Sequence, residues 1–233
     1  MKAIQPITHR FRLLLGMLTL SLMAFAQPAL AAINGLWTIG SGDYLVLMQD
    51  VNSGLVVGLQ IDTSYTSLAV WTGSATDTTL TLTEVANSAN SINATFTTAT
   101  SLEGRIIKSG TTTPFSAQFS LAYSGSANDG IWQRPTDTGS QSYIAFFTLA
   151  AGNGKLPIEF DITIDPGLNY SYDVIAGITN NNVFTGTSVM NANLTSRLAF
   201  DSGTLDGTQI SSGKMSQPVT TNFTATQIIK LAK

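Results

Sequence analysis

The side chains that most often carry out catalysis are almost missing from this chain. The sequence contains no cysteine, and its single histidine, His9, lies in an N-terminal segment with the character of an export signal. Serine and cysteine triads need a histidine, and zinc and copper sites are built mainly from histidine and cysteine. The sequence therefore predicts no catalytic triad, no metal site and no cofactor in the exported protein.

Carboxylates are the remaining groups that could do chemistry, because paired acids hydrolyse glycosidic bonds. The closest pair on one strand face is Glu159 and Asp161. Both lie in the alternating run 156–164, whose apolar residues are predicted to face a core. Alternation then places the two acids on the solvent side, where charged side chains are normally found. A carboxylate-based enzyme acting on glycans is accordingly the third function considered, and no catalytic residue is assigned.

Residues 1–31 have the three parts of a secretory signal. Basic residues precede an apolar stretch from Leu13 to Ala26, and Ala29-Leu30-Ala31 supplies small residues for cleavage. The apolar stretch is shorter than the roughly 20 residues that span a bilayer. We therefore predict an exported protein, periplasmic or extracellular, without stable membrane insertion after residues 1–31 are removed.

Removal of that segment leaves an acidic chain, with eight basic residues against 14 acidic ones and a net charge of −6. The sequence has no cluster of lysine and arginine, which argues against nucleic acid as a partner because phosphates require a basic surface. Only 11% of the residues are charged, and threonine, serine and asparagine supply much of the polarity. This composition is typical of exported β proteins with hydroxyl groups on their solvent-facing strand positions.

Two copies of one unit follow each other along the chain. Several short segments of the first half match segments of the second half, and the matched segments occur in the same order in both halves, which indicates an internal repeat. The matches are Asn34–Trp37 with Asp129–Trp132, Val70–Gly73 with Val174–Gly177, Ser101–Gly104 with Thr204–Gly207, and Phe119-Ser120 with Phe223-Thr224. We assign unit one to residues 33–127 and unit two to residues 128–233.

Each unit is predicted to be all-β. Hydrophobic residues recur with a period of two in runs such as 79–83 and 115–121, as in strands with one face on a core. Turn residues separate these runs, for example at 52–54 and 165–167. The prediction is two tandem antiparallel β-barrel or β-sandwich units of about seven to eight short strands each.

The Gly-x-Trp that opens each unit, at Gly35–Trp37 and Gly130–Trp132, resembles the start of the calycin barrels, the group that contains lipocalins and avidins. The resemblance implies an up-and-down antiparallel barrel. It further implies that the tryptophan closes one end of the barrel and that a cup at the other end holds a small molecule.

In unit one the resemblance extends to a Gly-Ser turn at 40–41 and to the run 52–58, which is similar to the second hairpin of avidins. Ile39 stands where avidins have a polar residue, and Gln60 stands where they have a tyrosine. Biotin binding is therefore not implied.

Matched aromatic and glycine positions are predicted to be structural anchors, because aromatic side chains dominate core burial. These anchors are Trp37, Trp132, Gly35 and Gly130. The prediction gives them a role in packing and none in chemistry.

Trp71 differs from these anchors, because unit two has Ile175 in its place. An indole offers a broad surface with an N–H donor, which suits contact with a ligand ring or a sugar, and core packing is the alternative. The candidate ligand contacts are Trp71 and Tyr44, which places the expected site in unit one.

Two functions of different classes fit these features. The first is a non-catalytic binding module that holds a small apolar molecule or a glycan. The alternative is a structural or adhesive surface or matrix protein with solid cores, whose hydroxyl-rich faces meet another surface protein. A cavity inside one unit would favour the first function.

Overall fold

The computed structural model describes residues 33–136, 139–190, 194–201, 204–212 and 219–231, with the backbone alone at 194, 201, 204–212 and 219–224. The predicted export signal, residues 1–31, lies outside the described residues. Sixteen β-strands make up the regular structure of the described chain. Within it, no helical segment has the length and apolar character of a membrane span.

The strands form two closed antiparallel barrels, each with eight strands in chain order, so the all-β prediction is confirmed and the barrel is the form adopted. Barrel one contains β1 Gly35–Ile39, β2 Tyr44–Gln49, β3 Leu55–Ile61, β4 Leu68–Ala75, β5 Thr79–Glu84, β6 Ser91–Thr98, β7 Ser101–Lys108 and β8 Thr111–Ala122. Barrel two contains β9 Gly130–Arg134, β10 Gln141–Ala151, β11 Gly154–Ile164, β12 Tyr170–Asn180, β13 Val183–Ser188, β14 Leu194–Asp201, β15 Thr204–Ser212 and β16 Val219–Lys230. The first strand of each barrel pairs with the last, at β1 with β8 and β9 with β16.

One end of each barrel is closed by a buried tryptophan. Trp37 donates its indole N–H to the carbonyl of Ile33 over 2.9 Å, and Trp132 donates to the carbonyl of Asn128 over 3.0 Å. Trp37 packs edge-on against Phe119 with ring centroids 5.0 Å apart. Each indole therefore has its N–H satisfied, while its ring fills the barrel core.

The glycine two residues before each tryptophan lets the first strand approach the last. Gly130 has a φ of +149°, and a Cβ there would lie 2.0 Å from the carbonyl oxygen of Ile229. Gly35 has a φ of +152°, and its Cβ would lie 2.4 Å from the carbonyl oxygen of Leu121. No other residue type fits either position without moving the backbone.

A third hydrophobic core lies between the barrels. It joins the outer faces of β2, β3 and β4 to the outer faces of β10, β11 and β12, with additional residues from β9 and β16. The same outer face is used by both barrels: Met48, Leu59 and Val70 in barrel one have Phe147, Phe160 and Val174 at the corresponding ladder positions of barrel two. These strands are consequently buried on both faces.

That interface reverses the predicted orientation of β11. Phe160 and Ile162 face the core between the barrels, and Glu159 and Asp161 point into barrel two instead of into solvent. The prediction was wrong because a hydrophobic period of two distinguishes the two faces of a strand but does not show which face contacts solvent. Burial of the outer face also explains why β2 and β10 are almost continuously apolar, since strands covered on both sides lose alternation.

Asp50 connects the two barrels through its carboxylate. One oxygen accepts the backbone N–H of Lys230 in β16 over 2.9 Å, and the other accepts the N–H and the hydroxyl of Ser53, each over 2.7 Å. Burial alone would raise the pKa of Asp50, but these hydrogen bonds outweigh it and lower the pKa. The ionised carboxylate thus ties the β2–β3 turn to the last strand of the chain.

Asp50→Ala is expected to lower the free energy of unfolding by about 2 to 3 kcal/mol, because hydrogen bonds to a charged acceptor are lost and their donors are left unpaired. Urea denaturation at pH 7 measures the change. Asp62→Ala is the matched control, since Asp62 accepts hydrogen bonds from Thr66 and Ser67 in an exposed turn of barrel one. Equal losses in the two variants would contradict a bridging role for Asp50.

Candidate functional site

The interiors of the two barrels differ at corresponding ladder positions. In barrel one, Gly58 pairs with Trp71, and a Cβ at Gly58 would lie 3.2 to 3.4 Å from the side chains of Leu82, Trp71 and Leu45. In barrel two the corresponding pair is Glu159 and Ile175. The volume of an indole is thus replaced by a smaller aliphatic side chain and a carboxyl group.

More interior positions of barrel two become polar at the end away from Trp132. Ile92 of barrel one corresponds to Ser196, as the ladders show through the pairs Leu82 with Ile92 and Gly186 with Ser196. Ile39 and Ala69 of barrel one likewise correspond to Arg134 and Asp173, while Gln60 and Glu84, which are already polar, correspond to Asp161 and Ser188. These side chains form a polar cluster inside one end of barrel two.

An ion pair between Arg134 of β9 and Asp161 of β11 spans the cluster. Arg134 donates to both carboxylate oxygens of Asp161, over 3.4 Å for the longer of the two contacts. Burial raises the pKa of Asp161, and the guanidinium only partly offsets that effect. A two-pronged contact of this kind holds the carboxylate in a fixed orientation.

Asp173 of β12 lies across the ladder from Asp161. Its carboxylate accepts the Ser188 hydroxyl and its neighbour's backbone N–H, that of Val174, over 2.8 Å. Burial raises the pKa of Asp173, and these two hydrogen bonds only partly counter it. The mouth of barrel two therefore presents two carboxylates facing each other across adjacent strands.

Glu159 lies deeper, two residues before Asp161 on the same strand, and is fully buried. Within the described residues neither of its carboxyl oxygens has a hydrogen-bond partner. Ser196 lies nearby, outside hydrogen-bonding geometry, and its hydroxyl is also unpartnered. Burial, reinforced by the charge of Asp161, raises the pKa of Glu159 to about 8, so the carboxyl group is mostly neutral at pH 7.

A cavity of about 410 Å³ opens at the mouth of barrel two, and it is lined by Asp161 and Asp173, whose charges act on Glu159. The lining is completed by Arg134, Thr163, Ser171, Met190 and Tyr172, although the side chain of Tyr172 packs against the core between the barrels and donates its hydroxyl to the carbonyl of Tyr65. We refer to this cavity together with Glu159 and Ser196 as the cup. The cup offers charged acceptors at its wall, next to a buried carboxyl group that has no hydrogen-bond partner among the described residues.

Among the described residues, no group of three or more histidine, cysteine, aspartate or glutamate side chains has an arrangement that could hold a metal ion. The carboxyl groups of the cup are thus acceptors and acids in their own right. They can bind a hydrogen-bond donor or a positive charge, and Glu159 can exchange a proton.

The structure does not bring together the two ligand contacts expected from the sequence. Trp71 is fully buried inside barrel one, and its indole N–H has no hydrogen-bond partner in the described chain. Tyr44 is half-buried and packs against the core between the barrels. The two side chains lie on opposite faces of the barrel wall.

In barrel one, the end away from Trp37 carries polar side chains, but the interior below them is packed with apolar side chains. Gln60 donates to the carboxylate of Asp43 over 3.3 Å, and Asn90 donates to Glu84 over 2.5 Å. Beneath them lies the buried indole of Trp71, with the ammonium of Lys108 lying 5.4 Å from its ring centroid. Barrel one thus has polar cavities of about 580 and 230 Å³ at its mouth above a packed apolar core, whereas barrel two has the polar side chains of Glu159 and Ser196 inside.

Arg134, Asp173, Ser188 and Ser196 were missed by the sequence reasoning. Each belongs to a strand whose inward side could be identified only from its register with its neighbours. The repeat does contain a usable signal, because counting from the two matched tryptophans places Glu159 opposite Gly58. A carboxyl group at a position where the sister unit requires glycine marks a change in the interior.

No protein-family model matches the chain, and no curated protein or solved structure is significantly similar to it.

Proposed function

We propose that this chain is an exported, non-catalytic binding protein and that the cup of barrel two holds a small polar ligand. The observation that carries the proposal is the unpartnered carboxyl group of Glu159, which lies close to Asp161 and Asp173, two acids that line an open cavity. Its two unsatisfied oxygens can complete their hydrogen bonding with groups that a ligand supplies.

The energetic cost of the cup supports this proposal. Burying a carboxyl group without a hydrogen-bond partner costs several kcal/mol in order of magnitude, unless the group is neutralised or paired. Barrel one avoids this free-energy cost at the corresponding positions, because Trp71, Ile92 and Gly58 lie in a packed core. Departures from good packing that leave polar groups unsatisfied are typical of functional sites.

The position of the cup agrees with the calycin resemblance. In such barrels a tryptophan closes one end and the ligand enters at the other, and Trp132 and the cup lie at opposite ends of barrel two. An up-and-down barrel of eight strands has an interior just wide enough for side chains or one small ligand. The smaller side chains of Ile175, Ser188 and Ser196, which replace Trp71, Glu84 and Ile92 of barrel one, supply room in the interior.

Grafting the barrel-one pair into barrel two, with Glu159→Gly and Ile175→Trp together, is expected to abolish ligand binding and keep the fold. The indole fills the cup and the acceptor is removed, so affinity should fall at least about 100-fold, equivalent to roughly 3 kcal/mol. Small-molecule hits from a thermal-shift screen of the wild-type protein are titrated by calorimetry into both proteins. Unchanged affinity in a folded graft variant would place the site elsewhere.

A second candidate site is the mouth of barrel one, where the expected contact Trp71 lies. The indole N–H of Trp71 and the side-chain carbonyl of Gln60 are both buried without partners in the described chain. Trp71→Phe removes that N–H and is titrated with the same hits. Loss of binding in Trp71→Phe but not in the graft variant would favour barrel one.

A further inference from the structure

Among the side chains that the structure describes, the charged groups of the cup are two aspartates and one arginine, so acidic groups predominate. Five polar or charged side chains of the described strands surround Glu159 and its neighbours. They are Arg134 on β9, Asp161 on β11, Asp173 on β12, Ser188 on β13 and Ser196 on β14. Arg134 is engaged by Asp161, which neutralises one of the three acids. Asp173 and Glu159 have no cationic side chain in hydrogen-bonding contact with their carboxyl groups in this part of the chain.

The carboxyl groups place hydrogen-bond acceptors at the same end of the barrel. Asp173 lines the cavity, and the nearby Glu159 has two carboxyl oxygens without a partner among the described residues. An anionic ligand would meet carboxylates at close range, which costs free energy in a partly buried site. A neutral ligand would supply donors and leave the negative charge uncompensated. An ammonium group supplies both the donors and the charge.

We propose that the ligand of the cup is a small organic cation, an alkylammonium with a short apolar body. The inference rests on the proposed function of barrel two. The ammonium group lies between Asp173 and Asp161, near Glu159, and the apolar body contacts Met190 at the mouth. The volume of about 410 Å³ admits a molecule of this size.

Binding of a cation is coupled to a proton on Glu159. In the free protein that carboxyl group has a pKa of about 8 because of burial, so it carries its proton at pH 7. A positive charge beside it favours the carboxylate and lowers its pKa. The carboxyl O–H bond breaks, the proton goes to solvent, and the carboxylate pairs with the ammonium group. Up to about one proton per ligand is therefore released at pH 7.

The test uses n-butylammonium, n-butanol and n-butyrate, which share one apolar body and differ in the head group. Each is titrated by calorimetry into the full-length protein at pH 7, in phosphate and in the zwitterionic buffer HEPES, because the difference in heat between these buffers counts the protons released. We expect butylammonium to bind at least about tenfold more tightly than butanol, with proton release, and butyrate not to bind.

Three variants assign the effect to the cup. Asp173→Asn should weaken butylammonium binding at least about tenfold, since the ammonium loses its charged partner. Glu159→Gln keeps the shape of the carboxyl group and should eliminate the proton release. Glu103→Gln is the matched control, because Glu103 is exposed on β7 of barrel one, and its affinity and proton release should equal those of the wild type.

Three results would overturn the inference in different ways. Binding of butanol or butyrate as tightly as butylammonium, with loss of binding in the graft variant, would show a cup with a different ligand class. Absence of binding by all three probes, together with a thermal-shift screen that yields no ligand sensitive to the graft, would reject the proposed function itself. Binding of butylammonium without any change in the Asp173→Asn and Glu159→Gln variants would place the cation outside the cup.

Discussion

Glu159→Gln is expected to raise the free energy of unfolding by roughly 4 kcal/mol at pH 9 and by little at pH 5, at about 1.4 kcal/mol for each unit of pKa shift. The glutamine keeps the shape of the side chain and cannot ionise. The variant therefore removes the cost of charging a buried carboxyl group and leaves the packing of barrel two intact.

The sign follows from the two pKa values of this side chain. Its pKa is about 8 in the folded protein against an ordinary 4.5, and burial is the main cause. Between these values the folded protein keeps a proton that the unfolded chain has lost. Folding stability consequently falls as the pH rises through this window, and the loss is complete above the folded pKa.

A second buried acid, Asp129, also lowers the folding stability as the pH rises, but at lower pH than Glu159. Burial raises the pKa of Asp129 to about 6, although the hydroxyl of Thr148 and the backbone N–H of Ser126 donate to it. Asp129 therefore adds to the loss of stability between its ordinary pKa and about pH 6. Glu159→Gln should abolish the fall between pH 6 and 8 and leave the Asp129 contribution in place.

Urea denaturation from pH 5 to pH 9 measures both profiles. Glu103→Gln removes a carboxyl group from the exposed face of β7 and should reproduce the wild-type profile. Parallel pH profiles for the wild type and Glu159→Gln would mean that Glu159 is solvated in solution.

Trp132→Ala is expected to cost about 3 to 5 kcal/mol of folding free energy, and Trp37→Ala a similar amount, because each leaves a cavity and loses the transfer free energy of an indole. Trp132 is 1% exposed and packs on Phe200 with ring centroids 5.5 Å apart. Truncation also leaves the carbonyl of Asn128 without its donor. The change is measured by urea denaturation at pH 6.

Phenylalanine provides the graded control for this position. Trp132→Phe keeps most of the ring volume and loses the N–H, so it should cost less than Trp132→Ala. A Trp132→Ala protein with unchanged stability and impaired ligand binding would instead identify Trp132 as a ligand contact.

The barrel itself could be predicted from local signals. Runs such as Thr79–Glu84 alternate because only their inner face is covered, and the two Gly-x-Trp strings mark the same point in each unit. The register from Gly35 and Gly130 then fixes which strands meet. Local chemistry therefore carries most of the information about each barrel.

The cup could not be predicted in that way. Alternation in β11 is equally compatible with Glu159 outside or inside, because both sets of positions end up buried. The choice is made by Phe160 and Ile162, which pack against the other barrel, and this contact depends on residues about a hundred positions away in sequence. Long-range packing of one barrel on another leaves no periodic signature within a single strand.

The contact between the barrels also has an evolutionary consequence. Each barrel presents the same outer face to the other, with Leu59 answered by Phe160 and Val70 by Val174, as in the isologous interface of a homodimer. The two barrels thus pack like the subunits of a homodimer, and the covalent link between them holds them together at a high effective concentration. In a true homodimer, any carboxyl group introduced inside one barrel would appear in both barrels, and its burial would destabilise both subunits. Within a single chain the two barrels can differ in sequence. Barrel one can therefore keep a packed, stabilising interior while barrel two carries buried polar groups.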